Sequence, residues 1–240
     1  MKFSLPLALL ACCAPTQLHA EVDSEIPLGI EAVTGIRSEY VHRGFILAED
    51  SLFDFQIESE IALNNHTFLN VGGWYATETG QGEFSESAIF AKLNFQRSEQ
   101  LNLGVNVTYR DFNESFFDSG TDLGVFADWA FNDDFELSAG VSYDTGADGL
   151  YANLESNWSK TLSDDAFISL QTGISFVNDY YDRDGLNDIY ARLSLTYHIS
   201  ETVSVTPYVG TSILIDDDSD EPGVINDDST YAGLWFIVRF

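Results

Sequence analysis

The chain closes with the stretch Thr230-Tyr-Ala-Gly-Leu-Trp-Phe-Ile-Val-Arg-Phe240. Alternate residues in this stretch form two sets of different character. One set is uniformly apolar and comprises Ala232, Leu234, Phe236, Val238 and Phe240. The other set is mixed and comprises Tyr231, Gly233, Trp235, Ile237 and Arg239. A period of two residues with one apolar face predicts a β-strand whose faces meet different surroundings.

The same alternation recurs along the chain, and we find no convincing helical pattern. The segments are mostly about ten to fourteen residues long, which suits a tilted strand that crosses a bilayer. We predict twelve strands, at about 30–47, 52–63, 66–77, 85–96, 100–111, 121–131, 134–144, 150–160, 166–177, 187–199, 202–215 and 230–240.

The connections between these segments alternate in length. Even-numbered strands are followed by short links, such as 64–65 and 132–133. Odd-numbered strands are mostly followed by longer links rich in Gly and Asp, such as 178–186 and 216–229, although 48–51 is short. This alternation predicts an all-β, antiparallel, up-and-down transmembrane β-barrel of about twelve strands, located in the cell outer membrane of a Gram-negative bacterium. The alternative is a soluble β-sandwich, which would leave many edge strands to protect.

The first twenty residues read as a signal peptide, with Lys2 before an apolar core and Ala20 at the cleavage position. Cleavage after Ala14 and lipidation at Cys12 are alternatives. We expect residues 21–240 to form a single barrel domain. Both cysteines, Cys12 and Cys13, lie in the signal, so we expect no disulfide or zinc–thiolate site in the mature chain.

The composition is strongly acidic. Ten Lys and Arg stand against 39 Asp and Glu, a net charge of −29, which excludes nucleic acid as a partner. No phosphate loop or histidine cluster is present, so we predict no cofactor and no resident metal. The acidic runs at 216–221, 227–228 and 182–185 lack calcium-loop spacing. They are either solvated outer loops or loops that gather divalent cations.

Charged residues recur on the strand faces opposite the apolar sets. The side chains predicted to line the lumen are Arg37, Glu39, Arg43, Glu58, Glu60, Lys92, Arg110, Asp128, Glu136 and Arg192. Rings of charge set the selectivity of pores, whereas salt bridges among the same residues would plug a narrow barrel. The pattern therefore predicts a porin-like passive channel for small solutes with a preference for cations. A closed structural or adhesive barrel with acidic loops is the alternative.

An enzyme is a further alternative. The pair His198-Ile-Ser200 resembles the His-x-Ser pair of an outer-membrane lipid A deacylase. The predicted topology places this pair at a periplasmic turn, the wrong end for that family, so we predict no catalytic residue and no enzymatic activity.

The segment Ser38-x-Tyr40-Val41-x-Arg43-Gly44 resembles the opening strand of the TorF-related (Gcw_chp) family of uncharacterised bacterial outer-membrane proteins, with Glu39 where Asp is usual. That family also ends in a barrel-closing strand with a terminal phenylalanine, here Phe240. The resemblance implies a channel or transport role in contact with outer-membrane lipid. The machinery that assembles outer-membrane barrels recognises a closing strand with a terminal aromatic residue. We therefore expect this machinery to be a partner of the chain, with Phe240 as the assembly signal.

Overall fold

The computed structural model describes residues 29–80, 82–113, 115–215 and 224–240. The predicted signal peptide and the acidic run 216–221 lie outside these residues. The strands within the described part are β1 (Ile30–Arg37), β2 (Tyr40–His42), β3 (Phe45–Ala48), β4 (Leu52–Asn64), β5 (Thr67–Glu78), β6 (Ser85–Gln96), β7 (Leu101–Asn113), β8 (Gly120–Asn132), β9 (Phe135–Asp144), β10 (Gly149–Ser163), β11 (Ala166–Tyr180), β12 (Arg183–His198), β13 (Val203–Leu214) and β14 (Ser229–Arg239). Among the same residues, no helix has the length and apolar character needed to cross a membrane.

Twelve of these strands close into one antiparallel barrel, while β2 and β3 form a separate hairpin. The stretch at 230–240 forms the closing strand, since β14 pairs with both β13 and β1. Its register on β1 runs from Glu31 opposite Arg239 to Arg37 opposite Gly233. Closure pairs the backbone of every barrel strand on both sides and leaves no open edge. The predicted barrel is confirmed, and the sandwich alternative was wrong.

The two faces of the barrel differ as the alternation predicts. Outward side chains are apolar and exposed, for example Ile89 (67%) and Leu123 (53%). Exposed aromatic side chains lie near both ends of the strands: Tyr75, Tyr109 and Tyr143 towards the longer connections, Trp129, Trp158 and Tyr197 towards the short turns. An apolar band between aromatic belts is the surface that a bilayer requires. We call the end with the longer connections the outer end.

The first predicted strand, 30–47, is too long. Strand β1 ends at Arg37, and residues 38–51 fold into the barrel around the β2–β3 hairpin. We call this segment the lumen hairpin. Its turn lies at Arg43 and Gly44, whose φ angles are 53° and 78°, the positive values found in two-residue hairpin turns. A hairpin continues the alternation of a straight strand, so periodicity alone did not separate the two.

The connection predicted at 178–186 was also wrong. Strands β11 and β12 continue to Tyr180 and Arg183, with a tight turn between them. Between Leu186 and Ile189, two residues of β12 stand opposite the single residue Ser175 of β11. This β-bulge buries the side chains of both Asn187 and Asp188, although neighbours in a regular strand point to opposite faces.

Candidate functional site

The lumen hairpin fills the outer end of the barrel. Phe45 is fully buried at the hairpin turn. Its ring lies 5.4 Å from that of Phe117 and 5.9 Å from that of Tyr180, measured between centroids. Phe117 belongs to the connection between β7 and β8, and Tyr180 lies at the outer end of β11. The hairpin therefore packs against aromatic side chains from several parts of the wall.

One side of the hairpin contacts β6. The Tyr40 hydroxyl donates to Glu86 Oε2 at 2.8 Å, and the same carboxylate accepts a hydrogen bond from Arg110 Nη1 at 2.7 Å. Both Tyr40 and Glu86 are buried. His42, also on the hairpin, is fully buried, and this burial, with Arg110 and Arg43 nearby, holds the pKa of His42 well below its usual value.

The tip of the hairpin reaches the wall formed by β8, β9 and β11. The Arg43 guanidinium pairs with Asp122 and lies 3.4 Å from Asp144 Oδ2. It donates to the Tyr180 hydroxyl at 2.9 Å and to Ser142 Oγ at 3.1 Å. Its carbon Cζ lies 4.5 Å from the centroid of the Tyr151 ring. We call the five residues Asp122, Ser142, Asp144, Tyr151 and Tyr180 the Arg43 site.

The backbone of the hairpin turn is anchored by β12. Asn187 Nδ2 donates to the Arg43 carbonyl at 2.8 Å, and Arg183 Nη1 donates to the Gly44 carbonyl at 3.2 Å. The Arg183 guanidinium also lies 3.8 Å over the ring of Phe45. A Cβ atom on Gly44 would come within 2.6 Å of Asn187 Nδ2, so a glycine is required both for this close approach and for the positive φ.

Four carboxylates at the outer end are paired with arginine. Arg37 Nε donates to Asp54 Oδ2 at 2.7 Å, Arg110 holds Glu86, and Arg43 holds Asp122. We call Asp54, Glu86, Asp122 and Asp144 the guanidinium-paired carboxylates. Three guanidinium groups thus offset the buried negative charge of four carboxylates, since Arg43 faces both Asp122 and Asp144.

Three carboxylates further into the barrel accept hydrogen bonds from amides. Asn70 Nδ2 donates to Glu58 Oε1 at 2.7 Å, and Asn102 Nδ2 donates to Asp128 Oδ2 at 3.0 Å. Asn94 links these two asparagines, with bonds of 2.8 and 3.3 Å. On the next part of the wall, Asn153 and Gln171 donate to Glu155. We call Glu58, Asp128 and Glu155 the amide-held carboxylates. A neutral amide orients a carboxylate without removing its charge.

The inner end holds small cavities among polar side chains. One cavity, of about 40 Å³, is lined by Glu136, Asn157 and Arg192 among others. A second, of about 20 Å³, lies beside Ser204 and Arg239. Spaces of this size admit a few water molecules. The inner end of the barrel therefore has room for water beside its inward polar groups.

The structure brings the predicted lumen residues to the inside in two different ways. Those on barrel strands follow the inward parity of the registers: Arg37, Glu58, Glu60, Lys92, Arg110, Asp128, Glu136 and Arg192. Glu39 and Arg43 belong to the lumen hairpin instead, where Glu39 accepts a hydrogen bond from Ser229. A role of these ten side chains in solute passage stays a prediction.

Sequence reasoning left out several residues of this site. Asp54, Glu86, Asp122, Asp144 and Glu155 share the inward parity of the predicted set, so the same alternation was sufficient to include them. Arg183 was assigned to an outer connection, and yet it is fully buried. Neither its burial nor the bulge at Asn187 has a signal in the sequence.

The residues considered for other chemistry lie apart from the hairpin. His198 ends β12 at the inner end and its ring lies 5.8 Å from Phe167, while Ser200 Oγ accepts the backbone N–H of Thr202 in the next turn. Within the described ranges, no group of three or more His, Cys, Asp or Glu side chains is arranged to hold a metal ion.

Comparisons with known proteins agree on the fold. No family model matches the chain, and no curated protein matches it in sequence. The KdgM porin superposes with a TM-score of 0.56 at 9% identity, over 88% of this chain and 98% of that one. An outer membrane channel from Pseudomonas putida F1 gives 0.58 at 11% identity, over 92% and 100%. LpxR from Salmonella typhimurium gives 0.54 at 8% identity, over 88% and 100%. At these identities the likeness shows the outer-membrane barrel fold alone.

Proposed function

We propose that this protein is a passive channel of the bacterial outer membrane that prefers small cations. The amide-held carboxylates carry the proposal. Glu58, Asp128 and Glu155 lie on the inward face and accept hydrogen bonds from Asn and Gln side chains, which orient a carboxylate without adding a positive charge. Fixed carboxylates in a low-dielectric lumen concentrate cations and repel anions.

The lumen hairpin supports a limit on solute size. It follows β1, and Arg43 at its tip lies 3.4 Å from Asp144 of β9. Strand β9 stands opposite β1 in the twelve-strand order, so the hairpin crosses the lumen. A segment held across the outer mouth leaves less room than the barrel itself would provide. The fold similarity to porins and to an outer membrane channel agrees with this proposal.

The test is the reversal potential of the purified barrel in a planar bilayer with a KCl gradient. We expect K⁺ to be preferred over Cl⁻. The double variant Asp128→Asn/Glu155→Gln should lose most of this preference, because it removes two fixed charges and keeps the side-chain volumes. Anion preference in the wild type, or an unchanged reversal potential in the double variant, would refute cation selectivity by these groups.

A closed structural or adhesive barrel is a second candidate, and the anchoring of the lumen hairpin favours it. Three groups on β12 and the wall hold the hairpin turn: Arg183, Asn187 and Asp122. The signature of this candidate is a folded wild-type barrel that passes no current. Folding is checked independently by the shift in electrophoretic mobility between unheated and boiled samples.

The family and the assembly partner belong to the same proposal. The hairpin carries the segment 38–44 that resembles the TorF-related (Gcw_chp) family, and this resemblance supports the proposal that the chain is related to that family. Phe240 is exposed, and its N–H donates to the Ile30 carbonyl at the seam. Deletion of Phe240 should reduce delivery to the outer membrane through the assembly machinery, measured by membrane fractionation. Normal delivery of the deletion variant would remove Phe240 from this role.

A further inference from the structure

The Arg43 site has the features of a receptor for a planar cation. Two carboxylates, Asp122 and Asp144, face the guanidinium, and the Tyr180 and Ser142 hydroxyls accept two of its N–H groups. The Tyr151 ring supplies an aromatic face at 4.5 Å. Carboxylates with in-plane acceptors and a stacked ring are the groups that proteins use to bind guanidinium.

The group bound in the Arg43 site is the side chain of Arg43 itself, and the backbone of this residue is strained. Arg43 has a φ of 53°, in the left-handed region that residues with a Cβ rarely adopt. Asparagine or aspartate suits this turn position better, as in other two-residue hairpin turns. Backbone strain of this kind persists where the surrounding contacts hold the residue in place, and it clusters at functional sites.

The Arg43 site continues into the lumen along β8, β9 and β10. The register places Asp122 opposite Asp144 at the outer end, and Asp128 opposite Ser138 further in. Glu155 lies opposite the same Ser138 from the other side. All of these positions share the inward face, because an even number of residues separates them within each strand. A cation released from the Arg43 site therefore meets further carboxylates on the same wall.

We propose that the Arg43 site recognises small organic cations that carry a guanidinium or primary ammonium group, and that Arg43 occupies it as an internal competitor. The inference rests on the proposed cation channel and names its substrate class. A solute cation that replaces Arg43 exchanges its hydration shell for the carboxylates, hydroxyls and aromatic ring of the Arg43 site. It then stands at the outer end of the carboxylate wall, while the hairpin tip has lost its charged anchor.

The test measures binding of methylguanidinium chloride to the folded full-length barrel in detergent by titration calorimetry. Arg43→Gln empties the site and keeps most of the side-chain stem. We expect this variant to bind the probe about tenfold or more tightly than the wild type, because an occupied site lowers apparent affinity by the fraction that is free. Tetramethylammonium, which has charge without N–H groups, and urea, which has N–H groups without charge, should bind much more weakly.

The triple variant Arg43→Gln/Asp122→Asn/Asp144→Asn should lose the gain in affinity for methylguanidinium. Equal affinities for wild type and Arg43→Gln, or a gain that survives in the triple variant, would overturn the proposal. If Arg43→Gln does not fold, Arg43→Lys serves in its place, since a shorter ammonium leaves part of the site open and should give an intermediate affinity. Binding is read without current, so a barrel that binds methylguanidinium and conducts nothing would refute the channel alone.

Discussion

The guanidinium-paired carboxylates at the outer end of the lumen and the amide-held carboxylates further in are chemically alike but have different partners. Asp54 is held by the Arg37 guanidinium, whereas Asp128 is held by the Asn102 amide. Both aspartates are buried on the inward face of a barrel strand. A guanidinium supplies a counter-charge and ties two strands, or a strand and the hairpin, together, whereas an amide orients a carboxylate without a positive charge of its own. The outer end therefore gains cohesion from its ion pairs, while the carboxylates further in carry the proposed preference for cations.

The largest effect should follow from removing the lumen hairpin. Replacement of residues 38–51 by a short Gly-Ser turn joins β1 to β4 directly and should raise single-channel conductance severalfold. The reason is that the hairpin side chains Tyr40, Arg43 and Phe45 leave the lumen. A Gly-Ser segment of the original length is the control and should conduct almost as well, since it has lost the same anchors. Unchanged conductance in both variants would place the narrowest point elsewhere.

The next effect separates the two classes of carboxylate by one matched substitution. Asp54→Asn leaves Arg37 buried without its counter-charge and should lower the free energy of unfolding by about 3–5 kcal/mol. Asp128→Asn keeps an oxygen that can accept the Asn102 amide and should change it by only about 1 kcal/mol. Equilibrium urea unfolding in lipid vesicles gives both values. Equal losses of unfolding free energy would show that an arginine partner and an amide partner stabilise the barrel to the same extent.

A smaller effect concerns the anchor of the hairpin on β12. Arg183→Met keeps the packing against Phe45 but removes the hydrogen bonds to the Gly44 carbonyl and to Asn187, which should cost about 2 kcal/mol. Hydrogen exchange of the hairpin amides should accelerate, while exchange in β8 stays slow. Arg183→Lys is the control and should lose less, since it keeps the charge over the ring. Equal acceleration of hydrogen exchange in the hairpin and in β8 would show that Arg183 stabilises the whole barrel and not the hairpin in particular.

The smallest effect is a pH dependence of the hairpin. His42 lies on the hairpin, outside the spanning strands, and burial lowers its pKa well below 6.5. As the pH falls, His42 therefore gains a proton more readily in the undocked hairpin than in the docked one. The contribution of neutral His42 to the stability of the docked hairpin is complete above about pH 6.5 and decreases as the pH drops below that value. The loss is at most about 1.4 kcal/mol per pH unit.

Hydrogen exchange of residues 38–51 at pH 7.5 and pH 5.5 measures this dependence, and His42→Gln should remove it. Carboxylates elsewhere titrate in both proteins, so the difference between wild type and variant isolates the histidine. An identical pH profile in His42→Gln would show that another group is responsible.

Much of the fold was predictable because alternation in a barrel has a single physical cause. Lipid lies on one face of each strand and polar lumen on the other, so sequences such as Leu101 to Arg110 carry the pattern without reference to the rest of the chain. The inward position of Asp128 and Arg192 follows from the same parity. The predictions that were wrong lie at the outer end, where strands and connections touch polar surroundings on both sides.

The sequence by itself determined the barrel, its number of strands, its closing strand and which face of each strand points inward, since these depend on a local period of two residues. Only the tertiary structure decided that residues 38–51 enter the lumen, and which cation meets which carboxylate. Arg43 is 79 residues from Asp122 in sequence, and Gly44 is 139 residues from Arg183. Contacts at such separations arise from barrel closure and from the bulge at Asn187, which no local pattern encodes.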